Sequence, residues 1–163
     1  MNVDINIAMD IEQLLNGGFK PLSTFLNYEQ LDSVLKKMRL PTEEIWPIPI
    51  LFPKPSGYPI SAGMTLLLKF RKQNLARLKV TDVFEYNLKK LIKLFFGTNN
   101  VRHPGVFETK KSSNVFLTGK LTKVGKLDKI LGIPALKPDD VKKIIKNKGW
   151  KKIVGFHTRN PPH

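Results

Sequence analysis

The 163-residue sequence contains no cysteine, and this absence excludes several kinds of chemistry. Without thiols the chain forms no disulfide, holds no thiolate-bound metal and offers no cysteine nucleophile. Its apolar runs, such as Met64–Leu68, fall far below the ~20 residues of a membrane-spanning helix. The first residues include the acids Asp4 and Asp10 rather than the basic start of a signal peptide. These absences predict a soluble, cytoplasmic protein with no membrane partner.

Acidic residues are also scarce, because 13 Asp and Glu stand against 28 Lys and Arg, a formal net charge of +15. Such an excess favours anionic partners, among them phosphates, nucleotides, sulfate and nucleic acid. Lysine dominates the basic residues and is scattered along the chain. A solvated basic surface with no dedicated partner is therefore the alternative interpretation.

Two capping patterns predict helices near the N-terminus. Asp10 with Gln13 predicts a short helix that ends at Gly17-Gly18, and Asn27 with Gln30 predicts a second helix. The second helix carries an apolar stripe made of Leu31, Val34, Leu35 and Met38.

The next stretch, 46–59, is interrupted by prolines, which restrict it to edge strands or irregular extended chain. Met64–Phe70 and Leu75–Phe84 are predicted strands around the polar turn 71–74, so they predict a hairpin.

One more helix and one more strand complete the first part of the chain. Asn87 predicts the start of a helix that ends at Gly97. Val115–Leu121 predicts a strand in which Gly119 marks a bulge.

The last third has a different pattern. Pro138-Asp139-Asp140 predicts a helix start, and Lys151–Phe156 predicts a short apolar strand that leads into the polar loop 157–163. A helix, a strand and a polar loop in this order open many α/β nucleotide-binding domains. We expect a domain boundary near Leu136–Pro138.

The polar loop holds groups suited to an anionic ligand. Arg159 offers a planar double donor, Asn160 a neutral amide and His163 an imidazole. Such groups stabilise charge on a phosphoryl group during transfer. On spacing alone, an ordinary polar surface loop is the other interpretation.

The loop resembles the signature of the ATP sulfurylase (sulfate adenylyltransferase) family, in which Gln-Thr-Arg-Asn-Pro precedes a paired-histidine motif. Thr158, Arg159, Asn160, Pro161 and His163 match that signature. Other segments resemble the N-terminal part of the family, in the same order along the chain. They are 14–19, 21–22, 25–27, 38–40, 46–50, 80–84, 96–98, 103–106 and 149–154.

The resemblance implies an α+β fold with two parts. Residues 1–136 would form a PUA-like, β-rich pseudo-barrel with flanking helices. Residues 137–163 would begin a Rossmann-like α/β nucleotidyltransferase domain and stop within it.

The resemblance also implies a reaction, the transfer of the AMP part of MgATP to sulfate with release of pyrophosphate. Arg159, Asn160 and His163 would be the catalytic residues, with Asn160 and His163 also holding the ATP phosphates. His157, Thr158 and Arg159 would contact sulfate. His157 replaces the Gln of the family, so sulfate binding would depend on pH near the ordinary histidine pKa of about 6.5.

The resemblance further implies that the second histidine of the pair and the remaining catalytic loops lie beyond His163. A site built from several loops loses orders of magnitude in rate without the others, since one donor alone is worth roughly 10²–10³. We therefore expect this chain to be inactive alone, and its partners to be the rest of the catalytic domain or copies of itself.

Two alternatives come from other function classes. A stand-alone basic PUA-like module would bind RNA or another anion. Nucleic acid is disfavoured because the basic residues do not alternate with aromatic ones. The other alternative is a non-catalytic interaction subunit that pairs with a separate catalytic chain.

Several conspicuous residues favour structural roles. His103, before Pro104-Gly105, is expected in a turn or in packing rather than at a metal. The aromatic residues expected in the core are Trp46, Trp150, Phe19, Phe25, Phe95 and Phe96. Val141–His163 is expected to pack poorly in isolation, because an isolated strand and helix have little to pack against.

Overall fold

The computed structural model describes residues 1–132 and 136–156 of the chain and confirms a mixed α+β architecture. The helices are α1 (Ile5–Asn16), α2 (Tyr28–Lys37), α3 (Leu88–Phe96), α4 (Pro104–Lys111), α5 (Leu127–Leu131) and α6 (Pro138–Asn147). The strands are β1 (Phe52–Pro53), β2 (Thr65–Phe70), β3 (Gln73–Glu85) and β4 (Val115–Lys123). Across the described ranges, none of these helices combines the length and apolar character needed to cross a membrane.

The four strands form one antiparallel sheet in the order β1-β4-β3-β2. The predicted hairpin is confirmed, and Arg71 and Lys72 connect its strands with φ of +48° and +67°. Two successive left-handed residues match the right-handed twist of the strands that they join. The proline-rich stretch contributes only the two-residue edge strand β1, as predicted.

The predicted bulge lies beside Gly119 but in the neighbouring strand. Val80 pairs with Gly119 and Asp82 pairs with Thr118, so the extra residue is Thr81 of β3. A Cβ on Gly119 would collide with the backbone of Lys79, which is why this position requires glycine. The sequence therefore predicted the right region for the bulge and the wrong strand.

The core lies between the inner face of the sheet and helices α1 and α2. Its largest fully buried side chains include Phe25, Ile11, Leu31, Leu78 and Leu117. Burial of such side chains contributes about 1.5–3 kcal/mol each, so this cluster provides most of the driving force for folding.

Helix α1 begins six residues before the predicted start. The carboxylate of Asp4 accepts a hydrogen bond from the Ile7 amide at 2.9 Å and caps the helix, whereas Asp10 lies inside it. The buried positions Ala8 and Ile11 extend the apolar stripe backward past Asp10. The predicted end at Gly17 is confirmed, with φ of +84°.

Helix α2 has the predicted capping box. Asn27 Oδ1 accepts from the Gln30 amide at 2.9 Å, and Gln30 Oε1 accepts from the Asn27 amide at 3.1 Å. Leu31, Val34 and Leu35 are buried as expected. Met38 is not part of the stripe, because it ends the helix in a left-handed conformation and is exposed.

Helix α3 is capped by Asn87 and ends at Gly97, as predicted. It packs on α4, which the sequence patterns did not predict, and Ile92 and Val106 are buried there. Among the expected core aromatics, Phe25 is fully buried and Phe95 is not, since 39% of its surface remains accessible. Phe95 lies on the outer side of a short helix whose buried face is Leu91 and Ile92.

Candidate functional site

The predicted site residues His157, Thr158, Arg159, Asn160 and His163 lie outside the residues that the structure describes. Their roles therefore stay predictions from the sequence. The described residues 136–156 show how the chain approaches this loop.

Helix α6 begins at Pro138, as predicted, with Asp139 and Asp140 in its first turn. The Lys137 amide donates to Asp140 Oδ2 at 3.2 Å, and the two carboxylates interact favourably with the helix dipole. None of the residues of α6 is buried, and Val141 and Ile144 of its apolar stripe are 43% and 40% exposed. The apolar stripe of the helix is thus at most partly covered by the described residues.

The predicted strand Lys151–Phe156 is not formed. Ile153, Val154 and Phe156 are 57%, 92% and 85% exposed. A strand needs a neighbour for its backbone hydrogen bonds, and within the described residues this segment pairs with none. The exposure of 141–156 agrees with the expectation that this region packs poorly in isolation.

A second expectation for this region, that Trp150 lies in the core, is wrong. Trp150 is 53% exposed, with the Lys148 ammonium 5.3 Å from its ring, so it is not a core anchor. Trp46 does pack against the core, edge-on to Phe19 at 5.8 Å between ring centroids.

A cleft separates α6 from the end of α1. Lys20 and Asp139 approach across it to 3.9 Å, and both side chains are more than half exposed. An ion pair this exposed contributes about 0–1 kcal/mol. The contact therefore orients α6 only weakly against the first part of the chain.

A polar groove runs beside the bulge of β3. It is lined by Ser23, Asn27, Thr81, Asp82 and Lys120, among others. Asn27 is already engaged in the capping box of α2. The groove offers hydroxyls and one charge of each sign, which is not a set for acid–base or nucleophilic catalysis.

Two carboxyl groups have shifted pKa values, in opposite directions. Hydrogen bonds from Lys36, Tyr86 and Lys90 lower the pKa of Asp32 to about 2. Burial, with the charge of Asp4 adding to it, raises the pKa of Asp10 to about 6. Asp32 connects α2 to α3 through Tyr86 Oη at 2.8 Å and Lys90 Nζ at 3.0 Å, so its role is structural.

His103 is the N-cap of α4. Its Nδ1 accepts from the Val106 amide at 3.4 Å, and its ring lies 5.1 Å from that of Phe96. The predicted turn or packing role is confirmed. Within residues 1–132 and 136–156, no group of His, Asp and Glu side chains is arranged to hold a metal ion.

The sequence patterns missed one grouping of charged side chains, which we call the basic face. It consists of Arg77 and Lys79 on β3 and Lys120 on β4, all exposed on the outer side of the sheet. Lys79 pairs directly with Lys120. The sequence does indicate a basic surface in this region, because it has no Asp or Glu between positions 54 and 81.

Comparison with known proteins divides the chain into two matched segments. Residues 1–126 match the sequence family of the PUA-like domain, and residues 134–163 match the ATP-sulfurylase family.

Curated relatives match over nearly the whole chain. A sulfate adenylyltransferase of Pyrococcus abyssi is 32% identical over 165 residues, which cover 100% of this chain and 43% of that protein. One of Persephonella marina is 36% identical over 94% of this chain and 42% of that protein. The chain spans less than half the length of the curated relatives that it matches.

A solved structure has the same fold. The hexameric APS kinase from Thiobacillus denitrificans superposes with a TM-score of 0.70 and 19% sequence identity, over 100% of this chain and 29% of that one. At this identity the likeness concerns the fold alone.

Proposed function

Because the chain belongs to the PUA-like domain family, we propose that it supplies the first domain and the first substrate-binding loop of a sulfate adenylyltransferase. It corresponds to the N-terminal part of proteins with that name. The reaction is transfer of the adenylyl group of MgATP to sulfate, with release of pyrophosphate. The observation that carries the proposal is the match of residues 134–163 to the ATP-sulfurylase family, since that segment contains the whole polar loop.

The residue roles follow the family signature. Arg159 contacts sulfate and the neighbouring phosphate, Asn160 holds the ATP phosphates, and His163 stabilises the transition state. His157 and Thr158 complete the sulfate contacts. Catalysis of this kind rests on positioning and charge neutralisation, for which these donors are suited.

The domain boundary at 136–137 belongs to the same proposal. The described residues before it hold the hydrophobic core, and those after it have exposed apolar side chains. The exposed set after the boundary is Val141, Ile144, Trp150, Ile153, Val154 and Phe156. Side chains of this kind favour packing against a further catalytic domain, supplied by the same polypeptide or by a separate chain.

Assembly and location complete the proposal. The structural relative is described as hexameric, which favours a homo-oligomer here as well. A reaction that consumes ATP favours the cytoplasm. The 163-residue polypeptide alone is proposed to lack turnover, because one loop provides a fraction of the donors that a developing charge requires.

The test is a chimera that joins this chain to the remaining C-terminal part of the Persephonella marina relative. We expect pyrophosphate release that requires both ATP and sulfate, and none from the 163-residue chain alone. Arg159→Ala in the chimera should lower kcat/KM by roughly 10²–10³. Arg102→Ala, at an exposed position of the first domain, is the matched control and should leave kcat/KM unchanged. Equal activity of the two variants would contradict the assignment of Arg159.

A second variant tests the histidine that departs from the signature. If His157 contacts sulfate with an ordinary pKa of about 6.5, the KM for sulfate in the chimera rises as the pH increases from 6 to 8. His157→Gln should remove this dependence. A pH profile that is unchanged by the substitution would show that His157 does not contact sulfate.

A further inference from the structure

Asn16, the last residue of α1, precedes Gly17, and the sequence has no other Asn-Gly pair. Asparagine is a thermolabile residue, and a following glycine favours deamidation because no Cβ hinders the backbone nitrogen. In that reaction the Gly17 nitrogen bonds to Asn16 Cγ, the bond between Cγ and Nδ2 breaks, and ammonia leaves with the proton of the Gly17 amide. Water then opens the succinimide ring, so position 16 becomes an aspartate or an isoaspartate.

The native structure holds the Asn16 side chain at both of its polar atoms. Oδ1 accepts from the Gly18 amide at 2.7 Å, in an Asx turn, and Nδ2 donates to Glu12 Oε2 at 2.6 Å. The peptide that follows is fixed as well, because Asn16 is helical and Gly17 ends the helix with φ of +84°. Ring closure requires Cγ and the Gly17 nitrogen to rotate toward each other, so these contacts oppose the reaction.

The acceptor of this side-chain bond, Glu12, is buried and depends on amide donors. Only 4% of its surface is accessible, and its Oε2 also accepts from Gln13 Nε2 at 3.1 Å. None of the ion pairs found in residues 1–132 and 136–156 includes Glu12. A buried carboxyl oxygen without donors is costly, so the bond from Asn16 Nδ2 stabilises Glu12 in the fold.

Deamidation would turn this attractive contact into a repulsive one. An aspartate at position 16 has no hydrogen to donate, and it would bring a second negative charge against the Glu12 carboxylate where water screens it poorly. An isoaspartate would also lengthen the backbone by a methylene at the end of α1. The folded state therefore disfavours both products, whereas the unfolded chain does not hold position 16 against Glu12.

We propose that Asn16 is a deamidation site which the native fold protects, and that deamidation of the unfolded chain disfavours its return to the fold. A molecule that stays unfolded acquires a carboxyl group opposite Glu12 and becomes less able to refold. Asn16 and Gly17 also line the cleft between α1 and α6, so the modification would alter the surface that faces Asp139. The proposal involves none of the residues assigned to adenylyl transfer.

Peptide mass spectrometry tests the protection, since replacement of the amide NH₂ by OH adds about one mass unit. The 163-residue chain is incubated at mildly alkaline pH, in buffer and in urea. We expect Asn16 to convert at least about tenfold more slowly in buffer, because the reaction there must wait for local opening. Equal rates in the two solvents would overturn the protection.

Asn99 is the internal reference for the chemistry, because it is exposed and precedes Asn100 rather than a glycine. In urea, where the fold protects neither residue, Asn16 should convert faster than Asn99. A rate at Asn16 no higher than at Asn99 would show that the Asn-Gly pair is not a deamidation site.

Asn16→Asp reproduces the aspartate product and tests the second half of the proposal by thermal unfolding at neutral pH. It should lower the Tm by about 4 °C or more, whereas Asn99→Asp, which adds the same charge at an exposed position, should change it by less than about 2 °C. In a Glu12→Gln background the decrease caused by Asn16→Asp should shrink, because a glutamine amide can donate to the new carboxylate.

Two outcomes would show that Glu12 does not oppose the product. One is a decrease in Tm no larger for Asn16→Asp than for Asn99→Asp, and the other is the same decrease with and without Glu12→Gln. If Asn16→Asp alone does not fold, the double variant with Glu12→Gln should recover a cooperative transition, and no recovery would also overturn the proposal.

Discussion

Gly119 of β4 and Lys79 of β3 approach so closely that any side chain at position 119 would collide with the Lys79 carbonyl group. The approach results from the bulge at Thr81, which inserts one extra residue into β3 and bends it over β4. At the same place, the Thr24 hydroxyl donates to the Gly119 carbonyl and joins the loop before α2 to the sheet. This point therefore determines how the sheet meets the helical layer.

Gly119→Ala should destabilise the protein by about 1–3 kcal/mol, because the clash is with backbone that cannot rotate away. Urea unfolding at neutral pH measures the effect. Gly155→Ala is the control, since a Cβ there meets nothing within 4 Å, and its effect should remain within about 0.5 kcal/mol. If the two variants were equally stable, the close approach of Gly119 to the Lys79 backbone would be contradicted.

Asp32→Asn should lower the free energy of unfolding at pH 7 by about 1 kcal/mol, a value discounted for the solvent exposure of its lysine partners. The folded pKa of about 2 lies below the ordinary 3.8, so the ionised group stabilises the fold above pH 4. This stabilisation is lost as the pH falls from about 4 to 2. Urea unfolding of both proteins across this range should show that the difference between their free energies of unfolding shrinks as the pH falls. A constant difference would contradict the lowered pKa of Asp32.

Asp10→Asn should have the opposite effect and raise the stability at pH 7 by about 1–2 kcal/mol, a value discounted for the partial exposure of Asp10. The pKa of Asp10 in the fold, about 6, lies above the ordinary 3.8, so the folded state favours the protonated form. The wild type then loses stability as the pH rises from about 4 to 6, whereas the variant does not. The free energies of unfolding of the two proteins should converge below pH 4. A variant less stable than the wild type at pH 7 would show that the carboxylate of Asp10 is not destabilising.

The fold was predictable where local chemistry decides it. The capping box of Asn27 and Gln30, the glycine stop at Gly97 and the polar turn at 71–74 each involve residues within four positions of one another. The start of α1 was misplaced because Asp10 has a Gln three residues later, whereas Asp4 caps the helix with its carboxylate and has Ile7 at that position.

Elements that depend on distant partners were not predictable. Whether 151–156 becomes a strand depends on a neighbouring strand, and its apolar sequence is the same with or without one. The basic face depends on the register between β3 and β4, which a scan along the chain does not reveal. The polar loop was recognised from its residues alone, and its geometry lies outside the described residues.

Removal of residues 137–163 should leave the unfolding of the rest almost unchanged, because α6 contributes no buried residue. We expect the same cooperative transition and a difference in stability within about 0.5 kcal/mol. Hydrogen exchange on the whole chain provides a second measurement, with weak protection in 141–156 and strong protection in β3 and β4. Strong protection in α6, or a large loss of stability on truncation, would contradict the proposed domain boundary.

Thr118→Val tests a buried hydrogen bond between the sheet and the segment before α2. Thr118 is 5% exposed, and its hydroxyl donates to the Phe25 carbonyl at 2.6 Å. Valine has nearly the same shape but no donor, so a buried carbonyl would lose its partner at a cost of about 1–3 kcal/mol.

Thr122→Val, on the exposed outer side of β4, is the matched control and should change the stability by less than about 0.5 kcal/mol in the same urea titration. Because Phe25 is fully buried, water cannot readily replace the lost donor. If Thr118→Val were as stable as the control, the Phe25 carbonyl would have another partner, and the attachment of this segment to the sheet would rest on apolar packing alone.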